Sequence, residues 1–219
     1  MKALQEVVAR PRHGPIKPVV YIVDDDGGVR VSLKFLLESV GLTVCAYSNG
    51  REFLDVADPK QPGCMLLDVR MPYIGGFELQ EALASRGFLL PVIFLTAHGD
   101  IPMTVRAMQG GAYDFLEKPF NDQALIDKVQ AALQLAERRY ASEQARDRTR
   151  HLLDQLSARE REVFDKLVEG KASKVIASEL DISYKTVEVH RAHIREKLGA
   201  TSLAELVRLA MAGASASHA

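Results

Sequence analysis

Hydrophobic positions change rhythm about halfway along this chain. Up to about residue 120, short apolar runs alternate with stretches whose apolar residues recur every three or four positions. The runs are VVYIV (19–23), TVCAY (43–47), CMLL (64–67), VIFL (92–95) and DFL (114–116). They read as strands, and their near-continuous apolar character means burial on both faces. Between them VRVSLKFLLESV, GREFLDVA, FELQEALASRG and IPMTVRAMQ read as helices. Strands and helices in this alternation predict an α/β fold, a flavodoxin-like five-stranded parallel sheet covered by helices on both sides.

Beyond that point the punctuation stops. All 9 prolines lie at or before Pro119, and after Gly111 only Gly170, Gly199 and Gly213 remain. From Asn121, an N-cap residue type, to Glu169 nothing breaks a helix. Ile126, Val129, Leu133, Ala136 and Tyr140 keep helical spacing, and the stripe then fades into SEQARDRTR. That stretch reads as a solvated helical spacer, with pairing in a dimer as the alternative. Next come four short helices. Ser157 caps the first, with Glu160 three residues on. Gly170 stops it, and Lys174 to Leu180 form the second. Asp181-Ile182-Ser183 make a tight turn, a third helix starts after Ser183 and runs to about Leu198, and Ser202 caps the last. The expected second domain is therefore all-α, a four-helix helix-turn-helix unit joined to the first by a long helical linker.

Composition narrows the function classes. The chain has 219 residues, 47% hydrophobic and 26% charged, with a net charge of -1. That is an ordinary globular balance, without the global basicity of a general nucleic-acid binder. The two cysteines sit in apolar runs and read as buried thiols suited to a reducing compartment. The amino-terminal segment lacks the apolar core of a signal peptide, so the expected location is the cytoplasm.

The candidate chemistry lies where α/β folds keep it, at the carboxyl ends of the strands. Strand one runs into Asp24, Asp25 and Asp26, strand three ends on Asp68, strand four on Thr96, and Lys118 follows strand five. Clustered carboxylates resist joint ionisation unless a cation joins them, and a hard divalent ion such as Mg²⁺ suits oxygen donors. A carboxylate beside Mg²⁺ and a lysine is a competent nucleophile for phosphoryl transfer. The plainer alternative is that an Asp run after a strand caps the next helix.

Four ordered motifs carry a resemblance: VDDD (23–26), DVRMPYIGG (68–76), LTAHGDIPM (95–103) and GAYDFLEKPF (111–120). Together they resemble the receiver domain of two-component response regulators over about residues 18–130. The resemblance implies that Asp68 is the phosphoacceptor. Asp24, Asp25, Asp68 and the carbonyl of Arg70 would hold Mg²⁺. Thr96 and Phe115 would be the switch pair, Lys118 would hold the phosphoryl group, and the Lys118–Pro119 peptide would be cis. Two departures stand out. Gly27-Gly28 predicts a weak start to the first helix, and Gly75 replaces a usual Asp or Ser.

On the third helix of the second domain Val187, Ile194 and Leu198 share one face, expected to be core. Lys185, Glu188, Val189, Ala192 and Arg195 lie opposite, with Arg191 and Lys197 on the flanks. A helix-turn-helix also occurs as a plain packing unit. However, SKVIASELDISYKTVEVHRAHIREKLGATS resembles the LuxR-type DNA-binding domain, and TVEVHRAHI with HGDIPM resembles the FixJ branch of response regulators. This implies base reading by Glu188, Val189 and Ala192, and phosphate contacts from Lys185, Thr186, Arg191 and Lys197. His190 and His193 read as structural.

The resulting expectation is a phosphorylation-dependent transcriptional regulator, not an enzyme, acting as an activator. Its partners would be a sensor histidine kinase, promoter DNA, RNA polymerase and a second copy of itself. The expected segments are a tail (1–17), the receiver (18–130), a helical linker (131–153), the DNA-binding domain (154–213) and a second tail (214–219). Rival readings are a phosphotransfer enzyme acting on small molecules and a regulator whose receiver only dimerises.

Overall fold

The computed structural model describes residues 16–97 and 99–214; both expected tails lie largely outside them, as does His98 of the HGDIPM motif. The chain divides into two compact units, residues 1–140 and 141–219.

The first unit follows the expected alternation. Its strands are β1 (Val19–Val23), β2 (Thr43–Tyr47), β3 (Gly63–Asp68), β4 (Val92–Thr96) and β5 (Asp114–Glu117). All are parallel, in the order β2-β1-β3-β4-β5. Alternate residues face opposite sides. Val20, Ile22, Cys64, Leu66, Ile93 and Leu95 pack against Leu33 and Leu37 of α1 (Gly27–Ser39) and Leu125 and Val129 of α5 (Asp122–Asp154). Tyr21, Val23, Met65, Leu67 and Phe94 pack against Phe53 of α2 (Gly50–Val56), Leu79 and Leu83 of α3 (Gly76–Ser85) and Ala107 of α4 (Ile101–Gln109). Burial on both sides is why these strands read as unbroken apolar runs. β5 is one residue longer than its apolar core suggested, because Glu117 continues the ladder opposite Thr96.

The strand order places a topological switch point between β1 and β3, where the following loops leave toward opposite faces. Asp24 and Asp68 sit at the carboxyl ends of these two neighbouring strands, just beyond the paired Val23 and Leu67. Close approach here requires glycine. A Cβ at Gly76 would lie 2.4 Å from the backbone oxygen of Asp68.

The expected weakness at the start of α1 is offset. Asp26 Oδ1 accepts from the N–H groups of Gly28 (2.7 Å) and Val29 (3.2 Å), so a strong cap compensates for two poor helix formers. At α3 the reverse holds: Gly75 has no side chain to cap with, and its own N–H donates to Glu78 at 3.1 Å. Helix α5 starts as expected, with Asn121 accepting from Ala124 N at 3.1 Å. Ala132 and Leu133 are still part of the receiver-side core, so this packed face runs past residue 130.

The second unit contains α6 (Ala158–Val168), α7 (Ser173–Glu179), α8 (Tyr184–Leu198) and α9 (Leu203–Ala214). Val163, Phe164, Ile176, Val187, Ile194, Leu198 and Leu206 form its core, together with Leu153. Ser157 and Glu160 form the expected capping box. Asp181 takes the left-handed conformation (φ 53°) that the tight α7–α8 turn demands, and Gly199 does so (φ 62°) at the end of α8.

Candidate functional site

At the carboxyl edge of the sheet the three aspartates after β1 have separate environments. Asp24 is buried; its Oδ1 accepts from Asp26 N at 2.9 Å and its Oδ2 from Lys118 Nζ at 2.7 Å. Asp25 is exposed, and Asp26 is spent on capping α1. Asp68 is 8% exposed; Lys118 Nζ donates to its Oδ1 at 2.9 Å and Arg70 N to its Oδ2 at 2.7 Å. The lysine thus bridges two carboxylates from two strands. It is aimed by its own backbone, whose N–H donates to Thr96 O at 2.7 Å, and the Lys118–Pro119 peptide is cis.

Electrostatics at this edge are tense. Burial pushes the Asp68 carboxyl above its usual range and the Asp24 charge adds to this, while Lys118 and the Arg70 N–H pull the other way. Burial opposes the Lys118 charge, but its hydrogen bonds to Asp24 and Asp68 outweigh that and hold the ammonium above its ordinary pKa. Among the described residues no group of three His, Cys, Asp or Glu side chains converges as a metal cage. The hard oxygen donors gathered here are those of Asp24 and Asp68.

Thr96 is buried at the end of β4, and Phe115 is half-buried on β5 with its ring 6.5 Å from that of Phe94. Sequence reasoning missed Arg30. Its Nη1 donates to Asp24 O at 2.6 Å and ties α1 to the loop carrying the aspartates. A single arginine one turn into a helix gave no signal of this.

The second candidate site is the outer face of α8. Val187, Ile194 and Leu198 are buried as expected, and Lys185, Val189, Ala192 and Arg195 are exposed. Other expected DNA contacts already have partners within the domain. Thr186 shares the N-cap with Ser183, its N–H donating at 3.0 Å. Lys197 Nζ lies 2.6 Å from Oε2 of the buried Glu160. Arg191 Nη1 donates to Ser173 Oγ and, at 3.2 Å, to Glu188 Oε1. His193 Nδ1 stands 3.8 Å from Glu160.

Two family matches divide the chain at similar places. Residues 20–130 match the response regulator receiver domain, and residues 154–210 match the bacterial regulatory proteins of the luxR family. The transcriptional regulatory protein TdiR of Thauera aromatica is 46% identical over 198 residues, which is 90% of this chain and 86% of that protein. This chain belongs to the response regulators. The transcriptional regulatory protein FixJ of Azorhizobium caulinodans is 48% identical over 192 residues, 88% of this chain and 91% of that one. Among solved structures, the response regulator StyR aligns with a TM-score of 0.81 at 46% identity, covering 89% of this chain and 98% of its own. The response regulator described here is thus a receiver domain and a LuxR-type DNA-binding domain in one chain, a transcriptional regulator of the FixJ type. Its receiver implies a sensor kinase as partner, and its second domain implies DNA. No helix among the described residues is long and apolar enough to cross a membrane.

Proposed function

We propose that this regulator is switched by phosphorylation of Asp68. The observation that carries the reading is the lysine bridge: Lys118 Nζ holds Asp68 and Asp24 together at 2.9 and 2.7 Å at the carboxyl edge of the sheet. In the proposed step a carboxylate oxygen of Asp68 attacks phosphorus on a phosphohistidine of the kinase. The P–N bond breaks and the imidazole nitrogen takes up a proton. Lys118 opposes the burial that disfavours the ionised nucleophile and then pairs with a phosphoryl oxygen.

The donor set suits a hard divalent cation. Burial already presses Asp68 toward its neutral form, and the one Lys118 charge does not balance the aspartates around it. Mg²⁺ held by Asp24, Asp25, Asp68 and the Arg70 carbonyl would neutralise charge on the phosphoryl oxygens. Asp25 is the exposed member of this set, the other two aspartates being buried.

Once Asp68 is modified, the Thr96 hydroxyl and the Phe115 ring shift and re-form the face of α4 and β5. This face shows an apolar row, Ile101, Val105 and Met108, in solvent. Burying that row drives pairing of two copies, or release of the DNA-binding domain, as a population shift between two packings. Two α8 helices then meet successive half-sites in the major groove. Glu188, Val189 and Ala192 read bases, Lys185, Thr186, Arg191 and Lys197 meet phosphates, and Arg195 contacts DNA from the same face. The cytoplasmic protein so placed recruits RNA polymerase as an activator. Segments 18–130, 131–153 and 154–213 act as receiver, linker and DNA reader.

Sedimentation with Mg²⁺, with and without beryllofluoride, tests the switch. A monomer-to-dimer shift that Asp68→Asn abolishes is the expected result. If Asp68→Asn still accepts label from acetyl phosphate, the site assignment is wrong.

A further inference from the structure

The DNA-binding domain contains a hydrogen-bonded chain that links α7 to α8. Ser173 is the first residue of α7, yet it does not cap that helix. The N-cap is Ala172, and no side chain serves there. The Ser173 side chain is nevertheless buried, with the residue 6% exposed, and its Oγ accepts from Arg191 Nη1 on α8. The same Nη1 donates to Glu188 Oε1 at 3.2 Å, one turn earlier on α8. A hydroxyl on the first helix of the helix-turn-helix is thereby linked to two side chains on the DNA-facing side of the second.

We infer that Ser173 is a positioning residue for base selection, acting on Glu188 through Arg191. The inference rests on the reading that α8 reads DNA with Glu188. A carboxylate brought into the major groove meets the repulsion of the phosphates. It discriminates bases only if its charge is compensated and its oxygens are held toward a base-edge donor such as the cytosine amino group.

Arg191 supplies the compensation, and Ser173 fixes where Arg191 stands. The two hydrogens of Nη1 are used by Ser173 and Glu188, which leaves Nε–H and the Nη2 pair of the planar fork to face DNA. Without the hydroxyl, the long Arg191 side chain keeps its phosphate contact but is free to swing away from Glu188. Glu188 would then lose both its orientation and its counter-charge. Affinity for DNA in general would survive, and sequence preference would not.

The test uses the full-length protein and a pool of random-sequence DNA duplexes, sequencing the bound fraction and titrating the unselected pool at several salt concentrations. Ser173→Ala should flatten base preference by about tenfold at the same position that Glu188→Ala flattens. Binding to the unselected pool and its salt slope should stay unchanged. Ser173→Thr should restore the preference, and Ser173→Ala should add nothing to Glu188→Ala. Arg191→Lys keeps the charge but loses the fork, so it should flatten the same position even if Ser173→Ala fails to fold.

Intact preference in Ser173→Ala or Arg191→Lys, with Glu188→Ala flattened, would overturn the positioning role and leave Glu188 as a reader. Intact preference in Glu188→Ala would remove the reading beneath it as well. Equal losses on selected and unselected DNA, with a lowered melting temperature, would reduce Ser173 to a packing residue.

Discussion

The ammonium of Lys118 donates to the Asp68 carboxylate at 2.9 Å across 50 residues of chain, and the same nitrogen reaches Asp24 at 2.7 Å. One cation just beyond β5 thus satisfies two buried acids, one at the end of β3 and one just beyond β1. It does so where burial alone would push Asp68 toward the protonated, non-nucleophilic form. The bridge belongs both to the stability of the sheet edge and to the proposed chemistry.

Replacing Lys118 with Met should therefore act on both. Two carboxylates lose their shared counter-ion, and the phosphoryl oxygens lose a partner that strengthens as the transition state forms. We expect the rate of labelling by acetyl phosphate to fall about a hundredfold. Calorimetry in the absence of divalent ions should show a destabilised receiver transition. An unchanged labelling rate would separate Lys118 from the phosphoryl group.

Asp26 is expected to matter for folding and not for the phosphoryl site. Its two hydrogen bonds supply the side-chain cap at the Gly27-Gly28 start of α1. Asp26→Ala should lower receiver stability in denaturant titration, and Asp26→Asn much less. A large drop in labelling with no drop in stability would mean that Asp26 belongs to the phosphoryl site after all.

The second domain should carry an acid-sensitive stability from Glu160. The hydrogen bond from Lys197 and the N–H of Ser157 hold its carboxyl down to about 2, against an ordinary 4.5. A depressed carboxylate pKa gives stability that is complete above the unfolded value and is lost as protons bind the folded form. The melting temperature of this domain should therefore hold above pH 4.5 and fall progressively toward pH 2. In Glu160→Gln that slope should flatten; a full slope in this variant would assign the acid sensitivity elsewhere.

Lys185 is exposed as the second residue of α8. As a phosphate contact it should lower affinity for all duplexes alike when changed to Ala. The slope of log affinity against log salt should also fall by about 0.9. A loss confined to one preferred sequence would instead make Lys185 a base reader.

The strands, their order along the chain and the ends that carry polar groups were legible from sequence because burial on both faces writes a continuous apolar run. VVYIV followed by Asp24 is such a case. The capping box of Ser157 and Glu160 was equally legible, since both partners lie within one turn. The roles within the run Asp24-Asp25-Asp26 were not. Three identical side chains in a row are separated only by where β1 ends and α1 begins, which sends one into the Lys118 bridge, one to solvent and one to the cap. The α8 face was readable as a helix face, yet its partners were not. Lys197 and Arg191 meet Glu160 and Ser173 on other helices, 37 and 18 residues away.

By itself, then, the sequence determined this protein's elements, its two-domain grammar and its family, because local periodicity and ordered motifs are properties of the chain alone. Only the tertiary structure decided which charges neutralise which. Ion pairing depends on distance and burial, and residues as far apart as Asp24 and Lys118 acquire both only when the sheet brings their strand ends to one edge.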